Sequence, residues 1–174
     1  MKNQWLNKYL YSSGINPLRR KLFKGLLAGS GLALISRKIL ASEEDAGELR
    51  FPGDPVDHKL VYQFNKSDES YHKAVLFSVG AMLRKYQDNI HIVVVAIGPG
   101  IHILAKNPER PVSKIIKQRV SSLAQYGVEF HACGNTLKSL GWDEKDVLPL
   151  ASVVEVGAAD LMELQEQGYS YISW

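Results

Sequence analysis

Two kinds of hydrophobic pattern alternate along most of the chain. The segment Ile90–Ile97 reads IHIVVVAI, a nearly continuous run of β-branched and apolar residues. A run of this length without polar alternation indicates a strand buried on both faces, as in a parallel sheet covered by helices. Within Ser70–Tyr86, by contrast, apolar residues at Val75, Val79 and Leu83 follow helical spacing, which predicts a helix there.

The same two patterns recur as far as the C-terminus, separated by short polar or glycine-containing turns. We predict strands at Lys59–Phe64, Ile90–Ile97, Val128–Ala132, Ser152–Val156 and Tyr169–Ser173. We predict helices at Ser70–Tyr86, Ile101–Lys106, Val112–Tyr126, Asn135–Leu140 and Ala158–Gln167. Asp68 is the candidate N-cap of the first long helix, and Gly127 is the candidate C-cap of the second. Strands that alternate with helices over about 115 residues predict a three-layer α/β domain with a mostly parallel, five-stranded sheet.

Charge is unevenly distributed along the chain and separates an N-terminal segment from the body. The net charge is +3, yet residues 1–41 contain eight Lys or Arg and no Asp or Glu. Residues 42–174 therefore hold 13 basic against 18 acidic residues, a net charge of −5. An acidic body does not attract a phosphate backbone, which argues against a nucleic-acid partner.

The basic N-terminal segment has the pattern of an export signal. Residues 18–24, LRRKLFK, resemble the twin-arginine motif of exported bacterial proteins, although Leu18 stands where that motif usually has Ser or Thr. The next twelve residues, GLLAGSGLALIS, are uncharged and mostly apolar, which is too short to span a hydrocarbon core of about 30 Å. We expect residues 1–41 to be a signal peptide that directs the protein through the export machinery to the bacterial periplasm, with cleavage after Ala41. An N-terminal anchor that stays attached is the alternative.

The segment that follows the signal has the composition of a linker. Residues 42–57 are rich in charge and include Gly47, Pro52, Gly53 and Pro55, which punctuate the chain without a helical or strand pattern. The α/β domain is then expected to occupy residues 58–174.

Reactive groups and ligands collect at the carboxyl ends of parallel strands, and two predicted loops lie there. Gly98–Gly100 follows the second strand and leads to His102. We expect its two glycines to form a tight turn beside the site. Cys133–Asn135 follows the third strand and leads into a helix.

Cys133 is the only cysteine in the chain, so no disulfide can form within it. A thiol just before a helix lies near the positive end of the helix dipole and near unpaired N–H groups, both of which favour the thiolate. Gly134 would let the backbone approach a bound group, and Asn135 would cap the helix or donate to an anion. His131 would share a strand face with the thiol. Since unpaired cysteines commonly act as small buried hydrophobes, position alone also allows an inert residue.

Three segments together resemble the DsrE/DsrF-like family. They are EFHACGNTLK around the cysteine, GPG after the second strand and the closing LMELQEQGYSYI, and the resemblance extends from about His58 to Trp174. It implies a five-stranded parallel α/β fold that forms trimers or hexamers. It also implies that one cysteine, here Cys133, carries sulfur as a persulfide and passes it between proteins. The better-understood members act in the cytoplasm as hetero-oligomers, from which an exported chain would differ.

These observations support one leading hypothesis and two alternatives. The leading hypothesis is an exported, homo-oligomeric sulfur-handling protein without a cofactor, whose partners are a sulfur donor or acceptor protein or a small sulfur compound. Its site would consist of Cys133 with a pocket formed by Gly98, Gly100, His102, His131, Gly134 and Asn135. The first alternative is a non-catalytic binding or assembly module with a structural cysteine. The second is a periplasmic protein that binds zinc or copper through His102, His131 and Cys133; His72 and His91 are expected to lie apart from that set.

Overall fold

The computed structural model describes Phe51 and residues 53–174. The predicted signal peptide, residues 1–41, and most of the predicted linker lie outside the described residues. The strands are β1 (His58–Phe64), β2 (Ile90–Ala96), β3 (Glu129–Cys133), β4 (Ala151–Val154) and β5 (Ser170–Ile172). The α-helices are α1 (Glu69–Tyr86), α2 (Lys114–Gln125), α3 (Gly134–Leu140) and α4 (Gly157–Glu166), with 3₁₀ helices at Gly98–Leu104 and Glu144–Asp146. No helix in this part of the chain is long and apolar enough to cross a membrane.

The five strands form one sheet in the order β4-β3-β2-β1-β5. Every pairing in it is parallel, which confirms the predicted α/β architecture. The strands β4 and β5 lie at opposite edges of the sheet, and α4 connects them. This helix therefore crosses one whole face of the sheet and contacts β1, β2, β3 and β5 on the way.

The two faces of the sheet carry different hydrophobic cores because side chains alternate along each strand. The larger core packs Ile92, Val94 and Phe130 of the central strands against α1, α2 and the 3₁₀ helix that begins at Gly98. The smaller core packs Val93 and Val95 of β2 against α4. The β-branched run in β2 is thus buried on both faces, as predicted.

Local signals place most element boundaries close to the predicted ones. The carboxylate of Asp68 accepts a hydrogen bond from the backbone N–H of Tyr71 at 2.8 Å, which confirms Asp68 as the N-cap of α1. The prediction for Gly98–Gly100 was wrong in one respect: these residues form the start of a 3₁₀ helix rather than a separate turn. Pro99 explains this difference, because its fixed φ suits the first turn of a helix and its missing N–H costs no hydrogen bond there.

Gly100 lies against the end of β1 and is required there for steric reasons. A Cβ atom at this position would lie within 2.1 Å of the carbonyl oxygen of Phe64 and within 2.9 Å of the backbone nitrogen of Asn65. These are backbone atoms and cannot move aside as a flexible side chain can. Gly100 therefore has a packing role between the 3₁₀ helix and β1.

We predict that Gly100→Ala lowers the free energy of unfolding by about 2–3 kcal/mol, because the added methyl group forces the backbone apart in a packed core. Gly80→Ala is the matched control, since its Cβ would meet only the side chain of Arg84 at 3.5 Å. In the interior of α1 that change should stabilise the protein by about 0.5–1 kcal/mol. Chemical denaturation of both variants measures the difference, and equal stabilities would contradict the steric explanation.

Candidate functional site

Cys133 lies at the carboxyl edge of the sheet, where β3 ends and α3 begins. It is the last residue of β3 and the N-cap of α3. Only 4 % of its surface is exposed, so in the single chain the thiol is nearly closed off from solvent. The strand end and the helix start thus coincide at the thiol, as the sequence predicts.

The start of α4 lies directly against this thiol. The backbone N–H of Gly157, the first residue of α4, donates a hydrogen bond to Sγ of Cys133 at 3.2 Å. A Cβ at Gly157 would lie 2.9 Å from Cβ of Cys133 and 2.8 Å from Cγ1 of Ile97. Glycine therefore permits the approach, and the approach brings the partial positive charge of a helix N-terminus to the sulfur.

Hydrogen bonds around the sulfur favour its ionised form. Burial raises the pKa of Cys133, but hydrogen bonds from the Thr136 hydroxyl and from the backbone N–H groups of Gly157, Thr136 and Asn135 outweigh it and bring the pKa below its ordinary value. The Thr136 hydroxyl oxygen also accepts the N–H of Gly98 at 3.0 Å. One hydroxyl can donate and accept at once, so Thr136 links the thiol to the end of β2.

Gly134 and Asn135 hold the junction against β4. A Cβ at Gly134 would lie 2.9 Å from the carbonyl oxygen of Val154, so this glycine allows a close approach to protein backbone rather than to a ligand. The backbone N–H of Asn135 donates to the carbonyl oxygen of Glu155 at 3.2 Å. The predicted capping role of Asn135 was wrong, because α3 begins one residue earlier and Cys133 occupies the N-cap.

His131 faces the same side of the sheet as Cys133, two residues before it on β3. Its Nδ1 lies 2.8 Å from Oδ2 of Asp160 on α4, and both side chains are only 14 % exposed. Its Nε2 lies 3.6 Å from a carboxylate oxygen of Glu129. The imidazole is therefore bound between two carboxylates, and its described polar contacts are with them rather than with the thiol.

His91 extends this group of polar side chains across the face of the sheet. Its Nε2 lies 3.1 Å from Oε1 of Glu129, and its Nδ1 lies 2.6 Å from the hydroxyl of Tyr169. The sequence predicts that His91 lies at the amino end of its strand, apart from His131. The parallel register pairs Val93 with Glu129, and the long Glu129 side chain closes the remaining distance to both imidazoles.

His102 lies in a different environment from the other predicted pocket residues. It is 3 % exposed, and its ring packs edge-on against Trp142 with centroids 5.2 Å apart. Burial, and secondarily the Arg110 guanidinium, lower the pKa of His102 below its ordinary value. Within residues 53–174 no group of three or more His, Cys, Asp or Glu side chains is arranged to hold a metal ion, so His102, His131 and Cys133 do not assemble as a three-ligand set.

Three residues that shape the site are absent from the sequence-based prediction. They are Thr136, Gly157 and Asp160. The spacing of Thr136, three residues after an N-cap, is that of a side chain facing back towards the cap. The run Gly157–Asp160, GAAD, contains small residues at a predicted helix start, which is a weak signal of close packing.

Comparisons with known proteins agree with the fold. The sequence model of the DsrE/DsrF-like family matches residues 58–174. The chain is similar to MTH1491 from Methanobacterium thermoautotrophicum, a protein of unknown function, with 30 % identity and a TM-score of 0.61 over 68 % of this chain and 100 % of that one. It shares its fold with the ychN protein from E. coli, at 12 % identity and a TM-score of 0.53 over 67 % of this chain and 99 % of that one. It also shares its fold with BT1422 from Bacteroides thetaiotaomicron, at 15 % identity and a TM-score of 0.51 over 67 % and 94 %. No curated protein matches.

We predict that Thr136→Val raises the pKa of the Cys133 thiol by about one unit, because it removes a hydroxyl that donates to the thiolate. Thr136→Ser keeps the hydroxyl and should leave the thiol pKa close to that of the wild-type protein. The rate of alkylation by iodoacetamide as a function of pH measures the pKa in each case. Equal pKa values in all three proteins would show that Thr136 does not act on the sulfur.

The lowered pKa of Cys133 also makes stability depend on pH with a definite sign. A thiol whose pKa is lower in the folded state than its ordinary value of 9.0 favours folding once it ionises. The difference in free energy of unfolding between wild type and Cys133→Ser should therefore grow as pH rises through the folded-state pKa, and level off above about 9. It should be lost as pH falls below the folded-state pKa. Denaturant titrations in excess reductant test this, and a difference independent of pH contradicts it.

Proposed function

The chain belongs to the DsrE/DsrF-like family, and from that premise we propose that Cys133 accepts a sulfane sulfur and relays it as a persulfide. The observation that carries the proposal is the hydrogen bonding of the single thiol. Donors from the start of α4 and from Thr136 lower the pKa of Cys133 despite its burial. A thiolate is the nucleophilic form of cysteine, so this environment suits a thiol that attacks sulfur.

The proposed reaction moves one sulfur atom without net oxidation. The Cys133 thiolate attacks the outer sulfur of a donor persulfide, R–S–SH, and forms a new S–S bond. The S–S bond of the donor breaks, and R–S⁻ leaves with the electron pair. With thiosulfate as donor the leaving group is sulfite. Transfer to an acceptor thiolate is the same displacement in reverse, and it returns Cys133 to the thiolate.

The same hydrogen-bond donors would also stabilise the persulfide that forms on Cys133. A persulfide is an anion when ionised, and N–H groups at a helix start stabilise negative charge near them. The low exposure of Cys133, 4 %, favours a narrow donor. A small sulfur compound fits that requirement, as does a persulfidated cysteine at the end of an extended protein segment.

The proposal includes the setting of this chemistry. The leader predicted in residues 1–41 would deliver the protein to the periplasm, where it would act as a homo-oligomer. With no second cysteine in the chain, the thiol cannot be consumed by an internal disulfide in an oxidising compartment. A persulfide donor or acceptor must then come from outside the chain.

A non-catalytic assembly module is the second candidate, and the burial of the thiol favours it. Cys133 packs within 3 Å of the position that a Gly157 Cβ would occupy, as a small hydrophobic side chain would. In that case Cys133→Ala keeps every property of the protein, and the native thiol reacts only after unfolding. The two candidates therefore differ in the reactivity of the folded thiol.

We predict that the reduced, folded protein gains about 32 Da on treatment with polysulfide or thiosulfate, the mass of one sulfur atom. Cys133→Ser should show no such gain, because it lacks the nucleophile. Intact-mass spectrometry measures the adduct, and a cyanide or dithiothreitol rinse should remove it.

Two controls separate the candidates. The protein treated in denaturant reports whether the thiol is merely accessible after unfolding, and the folded protein reports whether the native site reacts. If the adduct forms on the unfolded protein but not on the folded protein, the sulfur-relay proposal is rejected and the assembly module is favoured. An adduct that persists in Cys133→Ser would show that the sulfur binds elsewhere.

A further inference from the structure

The strand β3 and the helix α4 are joined by polar contacts at two points on the same face of the sheet. The first is the hydrogen bond from the N–H of Gly157 to Sγ of Cys133, 3.2 Å long. The second is the contact between Nδ1 of His131 and Oδ2 of Asp160, 2.8 Å long. The two points lie two residues apart on β3 and three residues apart on α4, so together they fix the first turn of the helix along the strand.

The contact between His131 and Asp160 has the geometry of a specific hydrogen bond. Both side chains are 14 % exposed, so water competes little for either group. An ionised carboxylate only accepts hydrogen bonds, so Nδ1 of the imidazole carries the proton that is shared. Asp160 also belongs to the first turn of α4, where its backbone N–H donates to the carbonyl oxygen of Val156 at 3.0 Å.

The first turn of α4 has no side-chain cap of its own. Val156 occupies the N-cap position and makes no capping hydrogen bond through its side chain. A helix start without a cap is held less firmly than one with Ser, Thr, Asp or Asn at that position. The link from Asp160 to His131 is thus the side-chain contact that secures this turn to the sheet.

We propose that the His131–Asp160 pair is a positioning device that holds the first turn of α4 so that the Gly157 N–H stays directed at the Cys133 sulfur. The role in sulfur transfer rests on the proposed function, but the effect on the thiol itself does not. His131 and Asp160 are positioning residues here, because neither has a described contact with the sulfur.

If Asp160 acted only through its charge, its removal would change the thiol pKa in the opposite direction. A carboxylate near a thiol disfavours the thiolate, so loss of its charge alone would lower the thiol pKa. Loss of the positioning contact would instead raise that pKa, because the Gly157 N–H would no longer stabilise the thiolate. Glu129, His91, Tyr169 and Lys59 are further ionisable groups on this face, and they are left unchanged in every variant below.

The test is the thiol pKa, measured from the pH dependence of iodoacetamide alkylation in the full-length protein. Asp160→Ala removes both the contact and the charge, and the pKa should rise by about half a unit to one unit. Asp160→Asn removes the charge but keeps an oxygen that accepts from His131, so the pKa should equal that of wild type or fall below it. His131→Ala should raise the pKa, and His131→Asn, which replaces Nδ1–H by an amide N–H, should restore it in part.

Glu163→Ala is the matched control, since it removes a carboxylate from an exposed position of the same helix. It should leave the thiol pKa within about 0.2 units of wild type. The proposal is overturned if Asp160→Ala leaves the pKa unchanged or lowers it. It is equally overturned if Asp160→Asn raises the pKa as much as Asp160→Ala does.

Two further measurements keep the test independent of folding and of the proposed function. If an alanine variant does not fold, the asparagine variants and the amide proton shift of Gly157 in the NMR spectrum decide the outcome, because that shift reports the hydrogen bond to sulfur directly. The sulfur adduct is measured separately by mass. If the thiol pKa rises in Asp160→Ala while the wild-type protein forms no sulfur adduct, the positioning role is upheld and the sulfur relay is rejected.

Discussion

The close approach of α4 to the end of β3 is the constraint on which the rest of the site depends. With any side chain at residue 157, the helix start would collide with Cys133 and Ile97, at 2.9 and 2.8 Å from the new Cβ. With glycine there, the N–H of the first helical residue reaches the sulfur at 3.2 Å. Gly134 allows a similar approach to β4. The chemistry of the thiol is therefore set by backbone N–H groups together with the Thr136 hydroxyl, and the contribution of Gly157 changes only if the start of α4 moves.

The two faces of the sheet differ: one carries most of the hydrophobic core, and the other carries the polar side chains near the thiol. One face carries the larger core, with α1 and α2 packed over Ile92, Val94 and Phe130. The other carries a smaller core under a single helix, which leaves room for polar side chains beside it. Glu129, His131 and His91 occupy that room and are bound to one another and to α4. A polar network of this kind is tolerated because its members are partly exposed and mutually hydrogen-bonded.

The sequence predicts the fold well because its strongest signals are local. The apolar run in β2 and the helical spacing in α1 are periodic patterns that tertiary contacts reinforce. The position of Cys133 at a strand end is predicted for the same reason. The partners of the thiol were not predicted, because Gly157 lies 24 residues away along the chain and its contact with sulfur depends on how α4 crosses the sheet. The position of His102 after β2 was predicted, but its side-chain environment was not, because the position does not fix the direction in which the side chain packs.

The route of α4 from one edge of the sheet to the other has a consequence for the order of events during synthesis. The helix that supplies the N–H to Cys133 comes before β5 in the chain, and β5 pairs with β1 at the far edge of the sheet. A nascent chain that ends before residue 157 has the cysteine but lacks the donor that Gly157 supplies. The full thiol environment therefore forms only after α4 has been synthesised and has docked on the sheet, and a shorter nascent chain carries the cysteine without the Gly157 donor.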